Sequence, residues 1–308
     1  MTLRETRSSR LLATVATALV GAGLVAQDAA APGKSDFLAG LKGFEHFHDP
    51  IGQPLYFETP TNDTGIRLLY LRHNFSDNSL LQGGNVTVYA LQARVAITER
   101  LGLIATKDGY TEMDTGLLGE DEGWNDLAAG VKYVALEDKA NDMLVTPGIR
   151  LETENGHRGI LQGTTVELSP FVSFAKGFDE AHVLANVTLR VPTDQDEGNN
   201  VLHWDLHFDY DLNKGADRVF APTFELHGVH YLSDGDASSA YGALPIGGLD
   251  YANLGSNVGG EFVCWAGVGM RMEAIQKVEV GLVYEFALTD PGDDIWKDRI
   301  TFDFHVRW

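Results

Sequence analysis

The feature that most constrains the fold is an alternation of apolar and polar residues with a period of two. In the segment VLHWDLHFDYDL the apolar residues are Leu202, Trp204, Leu206, Phe208, Tyr210 and Leu212. The residues between them are His203, Asp205, His207, Asp209 and Asp211. The end of the chain repeats the pattern, with apolar residues at Ile300, Phe302, Phe304, Val306 and Trp308. Because successive side chains of a strand point in opposite directions, these segments are predicted strands with one apolar and one polar face.

Twelve such segments, each about ten residues long, follow one another from Thr64 onward. They span residues 64–75, 85–98, 100–108, 124–136, 142–154, 163–175, 180–191, 200–212, 218–232, 258–272, 277–289 and 299–308. Their connections alternate between short and long, and the longer ones include 76–84, 109–123, 193–199, 233–257 and 290–298. Transmembrane barrels show this asymmetry, with short periplasmic turns and long outer loops. We therefore predict an all-β fold, a closed antiparallel transmembrane β-barrel of about twelve strands, in an outer membrane of the Gram-negative type.

A soluble β-sandwich also has alternating strands and is the alternative fold. A sandwich has no reason to sort its connections by length, whereas a barrel meets a different compartment at each end. Aromatic residues near the ends of the apolar faces suit interfacial girdles, and they are Tyr70, Phe75, Tyr133, Phe174, Tyr210, Phe220, Tyr284 and Trp308. In hydrocarbon every backbone amide must be paired, so the first predicted strand must meet the twelfth.

The beginning of the chain is typical of a secretory signal. Arg4, Arg7 and Arg10 precede an apolar or small stretch, residues 11–26, that is shorter than the about 20 residues of a spanning helix. We therefore expect a signal peptide at 1–26, a periplasmic N-terminal segment at 27–63 and the transmembrane barrel at 64–308. Both ends of the barrel domain are expected in the periplasm.

Composition excludes several classes of function. The chain has 44 acidic and 23 basic residues and a formal charge of -21, so it repels phosphate-rich partners and nucleic acid is excluded. The single cysteine, Cys264, permits no internal disulfide. No nucleophile elbow, zinc-protease helix or phosphate-binding loop motif is present, so we predict no enzyme and no cofactor. In the enzymatic alternative, His227, His230 and Asp234 could supply a catalytic group.

Placing the charged strand faces inside the barrel gives a predicted lumen lining. Its members are Arg94, Lys132, Arg150, Glu152, Glu167, His182, Arg190, His203, Asp205, His207, Asp209, Glu225, His227, Glu261, Arg271, Glu279, Glu285, Asp303, His305 and Arg307. Such charges either form a conducting path or pair across strands and block it. The long connections are acidic, for example at Glu112, Asp114 and Glu122, and should concentrate cations at the outer mouth.

One group of lining residues contains the imidazoles and carboxylates that metal sites use. If residues of the eighth and ninth strands pair so that their numbers sum to about 430, His203 faces His227 and Asp205 faces Glu225. His46 and His48 add a second pair of imidazoles. Histidines in alternating strands are usually polar lumen residues, so we predict no metal site.

Two short motifs connect the chain to a known family. The segment GWNDL at 123–127, followed by GVKY at 130–133, resembles a strand start and core found in the outer-membrane proteins of the MetA-pathway of phenol degradation family. The segment RVPT at 190–193 is similar to that family's strand end, although Asp194 follows where a glycine is often found. The resemblance implies an outer-membrane barrel that moves small, often hydrophobic or aromatic compounds, and it assigns no binding residue.

We therefore predict an outer-membrane channel or transporter for passive passage of small solutes, hydrophobic, aromatic or cationic, gated by outer loops such as 233–257. Its expected partners are outer-membrane lipid, the solute, and the barrel-assembly machinery, which would recognise the last strand ending in Trp308. The alternative is a structural or adhesive surface barrel whose lumen is plugged by residues 37–60.

Overall fold

The computed structural model describes residues 38–213, 219–235, 253–255, 257–275, 277–289 and 296–308. Its strands are β1 (Gly65–Asn74), β2 (Gly84–Ala96), β3 (Leu101–Ala105), β4 (Gly109–Thr115), β5 (Gly119–Trp124), β6 (Ala128–Tyr133), β7 (Leu136–Asp138), β8 (Met143–Glu152), β9 (Glu167–Phe178), β10 (Ala181–Pro192), β11 (Val201–Tyr210), β12 (Phe220–Tyr231), β13 (Phe262–Ile275), β14 (Val278–Ala287) and β15 (Asp298–Arg307). One short 3-10 helix covers Arg158–Ile160. Within the described ranges, no helix has the length and apolar character needed to cross a membrane.

The strands form one closed antiparallel ring. Leu69 of β1 lies opposite Ala90 of β2 on one side and opposite Asp303 of β15 on the other. Two barrel strands are interrupted, one made of β3 and β4 and the other of β5, β6 and β7. The ring therefore has twelve strands, as predicted, and the first pairs with the last. Closure pairs the backbone of the first strand with that of the last, as a bilayer requires.

The predicted alternation is confirmed in three dimensions. In β11 the side chains of His203 and His207 are buried inside, whereas Phe208 and Tyr210 are 40% and 49% exposed on the outer wall. β15 has the same arrangement, with Phe304 outside. A β-sandwich would bury these aromatic faces, so the outer wall excludes that alternative and is suited to lipid.

The connections are short at one end of the barrel and longer at the other. Residues 97–100, 139–142 and 179–180 form turns at the short-turn end, which is the periplasmic end in outer-membrane barrels. The prediction of a long loop at 109–123 is wrong, because β4 and β5 extend the barrel wall there as a hairpin. The outer face of this hairpin is acidic instead of apolar, so its sequence lacks the apolar–polar alternation by which the other strands were predicted.

A cluster of apolar side chains is buried at the long-loop end. Phe75, Leu81, Ile160, Leu161 and Leu254 form one buried cluster there. Phe75 was predicted to lie in an aromatic girdle, but it is only 2% exposed. Phe75 follows the last residue of β1, where the chain has left the wall. The alternation of inward and outward side chains along the strand therefore no longer determines its direction.

Candidate functional site in the barrel lumen

Residues 38–63, called the plug segment below, occupy the lumen. Both of its ends lie at the short-turn end, since Leu38 N donates to Ala96 O at 3.1 Å and Leu41 N donates to Asn62 O at 2.7 Å. Its middle reaches toward the long-loop end, where Leu55 packs against the apolar cluster. Residues 38–63 of the segment predicted at 27–63 therefore lie inside the barrel, whereas the signal peptide predicted at 1–26 lies outside the described residues.

Side chains of the wall satisfy the irregular backbone of the plug segment. Gln92 donates through Nε2 to Pro54 O at 2.7 Å, and Asn186 donates through Nδ2 to Tyr56 O at 2.8 Å. Buried carbonyl groups need such partners, and the prolines of the segment have no N–H to satisfy. An extended, proline-rich segment can therefore pack inside a polar barrel without forming a strand.

A buried carboxylate of the plug segment binds two cations of the wall. Glu58 Oε1 accepts from Arg94 Nε at 2.8 Å and from Lys132 Nζ at 2.7 Å, and Glu58 Oε2 accepts from Arg94 Nη2 at 3.0 Å. Burial alone would raise the pKa of Glu58, but Arg94 and Lys132 outweigh it and lower that pKa to about 2. The carboxylate is thus charged, and it neutralises cations that the lumen would otherwise leave unpaired.

A wall carboxylate binds the plug segment through its backbone. Glu225 accepts from Ile51 N at 2.8 Å and from Gly52 N at 2.6 Å, and its Oε1 lies 2.7 Å from His207 Nδ1. A Cβ atom at Gly52 would overlap Glu225 Oε2 and crowd His227 Nε2. A larger residue at position 52 would therefore force the Glu225 carboxylate to shift away from the backbone amides that it now binds.

Tyr56 anchors the plug segment between cationic groups. The guanidinium carbons of Arg150 and Arg190 lie 4.1 and 4.5 Å from its ring centroid, and its ring stacks on His203 at 4.5 Å. Its hydroxyl donates to Glu152 Oε2 at 3.4 Å. Burial raises the pKa of Tyr56 well above its ordinary value, so the hydroxyl stays protonated and remains a donor.

Asp49 carries a second buried negative charge of the plug segment. Its Oδ2 lies 3.2 Å from His305 Nδ1 and 3.7 Å from Arg94 Nη1, and its Oδ1 lies 3.6 Å from Arg307 Nη2. Burial would raise the pKa of Asp49, but Arg307, His305 and Arg94 hold it well below its ordinary value. The plug segment thus supplies anions to a basic part of the wall.

Most of the predicted lining residues point into the barrel. The buried ones are Arg94, Lys132, Arg150, Glu152, Glu167, His182, Arg190, His203, Asp205, His207, Asp209, Glu225, His227, Arg271, Glu279, Glu285, Asp303 and His305. Arg307 is partly buried beside Asp49. The prediction is wrong for Glu261, which is exposed and precedes β13, so strand alternation does not apply to it.

The predicted register of the eighth and ninth strands is also wrong. Asp205, not His203, lies opposite His227, and His207 lies opposite Glu225. Each residue of β11 therefore lies opposite a residue of β12 that is two positions later than predicted. Asp205 Oδ1 lies 2.8 Å from His227 Nδ1. His207 pairs with Glu225 at 2.7 Å and with Asp209 at 3.1 Å, so these imidazoles face carboxylates and the predicted pair of facing histidines does not form.

Three basic wall residues were not predicted as lining, namely Arg67, Lys107 and Arg299. Arg67 Nη2 lies 2.5 Å from Asp303 Oδ2, and Lys107 Nζ donates to Glu152 Oε1 at 2.5 Å. The inward face of β1 also carries leucines, so the sequence of β1 does not show which face is polar. Lys107 lies in the break between β3 and β4, where the alternation is interrupted. Arg67 and His73 share the inward face of β1, but Arg72 on the opposite face obscures this signal.

The acidic residues predicted at the outer mouth lie on the outer face of the β4–β5 hairpin. Glu112 faces Glu122 and Asp114 faces Glu120, and all four are exposed. Like charges placed opposite each other repel, so this face attracts cations from solution. In the predicted gating loop 233–257, residues 236–252 and 256 lie outside the described residues.

The residues of the enzymatic alternative do not converge. His227 points into the lumen, whereas His230 stacks on Phe262 at 4.4 Å. Asp234 lies in the following loop, where its Oδ1 accepts from Gly259 N at 2.5 Å. These three residues therefore form no catalytic group together.

Comparisons with known proteins agree with the barrel. No protein-family model matches the chain, and the search of curated proteins gave no match. An outer membrane channel from Pseudomonas putida F1 is similar at 14% identity and a TM-score of 0.54, covering 85% of this chain and 100% of that one. The NanC porin is similar at 11% identity and a TM-score of 0.46, covering 80% of this chain and 98% of that one. At 14% identity the likeness to the Pseudomonas channel concerns the fold alone. Together with the closed ring and the apolar outer wall, this fold is that of a β-barrel of the outer membrane.

Proposed function

We propose that the protein is an outer-membrane channel for passive passage of small solutes, and that the plug segment closes it until it is displaced. The observation that carries this proposal is that both ends of the plug segment lie at the short-turn end. A segment that enters and leaves by one end can withdraw without being threaded through the barrel. Channel and porin structures share the fold, which agrees with this proposal.

The wall behind the plug segment suits a hydrated lumen. Its buried groups include Arg94, Lys132 and Glu225, which now bind the plug segment and would bind water or solute after its withdrawal. A twelve-stranded barrel is wider than the eight-stranded kind that side chains fill and narrower than the 16- to 18-stranded porins. The size and polarity of the lumen therefore fit small solutes.

The acidic hairpin favours cationic or neutral solutes. Glu112, Asp114, Glu120 and Glu122 form an exposed negative surface at the long-loop end, which raises the local concentration of cations. The resemblance of 123–127 and 130–133 to the MetA-pathway of phenol degradation family extends the proposal to hydrophobic and aromatic compounds. In both cases transport is passive and requires no catalysis or cofactor.

A structural or adhesive surface barrel is the second candidate. The observation that favours it is the close packing of the plug segment, whose charged groups Asp49 and Glu58 are almost fully buried against the wall. Withdrawal of the plug segment would replace these contacts with water at a cost in free energy. A barrel that stays plugged does not require this step. In that case the outer loops would bind a partner while the lumen stays closed.

Planar-bilayer recording distinguishes the two candidates. The purified wild-type protein should show infrequent conductance steps, and a Glu58→Gln variant should show more frequent ones. Under a salt gradient the reversal potential should indicate preference for cations. Strong anion selectivity would contradict the role of the acidic hairpin. Absence of conductance in both proteins, with retained binding to cells or envelope polymers, would select the structural candidate.

We also propose that lipid and the barrel-assembly machinery are the partners of the folding chain. The outer wall of β15 carries Phe302 and Phe304, and the chain continues to an exposed Trp308. These exposed aromatic side chains on an amphipathic strand support recognition during assembly. Deletion of Trp308 should slow insertion into the outer membrane in cells without changing the folded barrel once it has formed.

A further inference from the structure

We infer that a divalent transition-metal ion of the zinc class binds where the plug segment meets the barrel wall, at His48, His182, Asp209 and Asp211. All four residues are buried, and one nitrogen or oxygen atom from each lies within 4.8 Å of those of the others. This inference is independent of the proposed channel function. It concerns a site at the short-turn end, away from the Glu58 cluster.

Three separate parts of the chain build this site, called the His48 site below. His182 lies near the start of β10, opposite Asp209 of β11 in the antiparallel ladder. Asp211 follows β11 and is two residues beyond Asp209, so both carboxylates face the interior. His48 comes from the plug segment. The wall therefore supplies three ligands, and insertion of the plug segment supplies the fourth.

The contacts within the His48 site leave ring nitrogens available. His48 Nε2 lies 2.8 Å from Asp211 Oδ1, and His182 Nδ1 lies 2.6 Å from Asp209 Oδ1. The second nitrogen of each ring, His48 Nδ1 and His182 Nε2, is buried and has no hydrogen-bond partner. Metal-bound imidazoles commonly use one nitrogen for the ion and give the other to a carboxylate or carbonyl. The imidazole–carboxylate pairs thus have the composition of a metal site.

The set of donors selects the class of ion. Two imidazoles and two carboxylates suit zinc and related divalent metals, whereas calcium and magnesium prefer oxygen donors alone. Zinc holds nitrogen and oxygen ligands at roughly 2.0–2.2 Å, so the four atoms need to draw together only modestly from their present separations. His207 Nε2, 3.1 Å from Asp209 Oδ2, would orient that carboxylate from behind.

A cavity gives an ion access to the His48 site. It has a volume of about 960 Å³ at the short-turn end, and His48 and Asp211 form part of its lining. His46 and Asp142 line the same cavity and pair with each other at 2.9 Å. An ion can therefore arrive from the periplasmic side without crossing the barrel, and once bound it would tie the plug segment to β10 and β11.

Metal titration of the full-length protein in detergent tests the inference. After treatment with a chelator, the wild-type protein should bind one zinc ion per chain with saturable heat in calorimetry. His48→Ala and Asp211→Asn should each weaken binding by at least the roughly tenfold that loss of an outer-shell partner costs. His46→Ala is the matched control, because it changes an imidazole of the same cavity outside the ligand set, and it should bind zinc as the wild type does.

Cobalt substitution supplies a second measurement. Cobalt(II) bound at this site should give the intense visible absorption of tetrahedral coordination, and zinc should displace it. His48 belongs to the plug segment, so its variant leaves the barrel ladder unchanged, and heat-modifiable migration in gels checks that the barrel has folded. The inference is overturned if the wild type binds no zinc, if His48→Ala binds as the wild type does, if His46→Ala abolishes binding, or if cobalt shows a weak octahedral spectrum.

Discussion

Arg94 on the wall binds Glu58 of the plug segment through two guanidinium nitrogens, at 2.8 and 3.0 Å. Lys132 completes this buried cluster at 2.7 Å. Substitution of Glu58 by glutamine should remove the anion that Arg94 and Lys132 bind most closely, although Arg94 keeps Asp49 at 3.7 Å. The expected loss is about 3–5 kcal/mol for a broken buried ion pair. The plug segment should then be released more often. Limited proteolysis of residues 38–63 should become faster, whereas Glu99→Gln in an exposed turn should change nothing.

The same carboxylate gives a pH prediction. The pKa of Glu58 is about 2 in the docked segment and near its ordinary 4.5 when released. Because docking lowers the pKa, its contribution is fully present above pH 4.5 and is lost as the pH falls through about 2. Hydrogen exchange of the plug segment should therefore show no step due to Glu58 between pH 7 and 4.5. A release step near pH 4.5 that Glu58→Gln abolishes would contradict this prediction.

Gly52 should be intolerant of larger residues. Gly52→Val would place side-chain atoms where Glu225 Oε2 lies, so the tip of the plug segment should leave the lumen. A cysteine introduced at Ser173, whose hydroxyl now donates to Glu58 O, should then react faster with a membrane-impermeant thiol reagent. Gly119→Asn is the control, because no atom lies near that glycine and asparagine tolerates its positive φ.

The outer wall should show a depth-dependent penalty for charge. Leu282 lies in the middle of β14, and Leu288 follows the end of that strand, and both are exposed. Lysine should destabilise the lipid-embedded barrel by about 2–4 kcal/mol at position 282 and by about 0–1 kcal/mol at position 288. Equilibrium refolding into lipid vesicles measures both values. Equal effects at the two positions would show that this wall does not cross the bilayer as described.

The alternation of inward and outward side chains along each strand made the barrel wall predictable from the sequence. The plug segment has no such alternation, so its position could not be predicted. The alternation in β11 and β15 depends only on local sequence, so the apolar outside and charged inside could be predicted there. Contacts of the plug segment depend on distant partners, as when Ile51 binds Glu225, 174 residues away. Local pattern contains no information about such pairs. Arg67 was missed because the inward face of β1 mixes charge with leucine.

The central claim is that the plug segment closes a channel, and reversible cross-linking tests it most directly. Gln92 Nε2 lies 2.7 Å from Pro54 O, so cysteines at positions 92 and 54 can be joined by a short reducible cross-linker. The experiment uses the Glu58→Gln variant with Cys264→Ser, and each single cysteine serves as a control. Cross-linking should abolish single-channel conductance, and a reductant should restore it. Conductance that persists unchanged with the plug segment fully cross-linked would contradict the account.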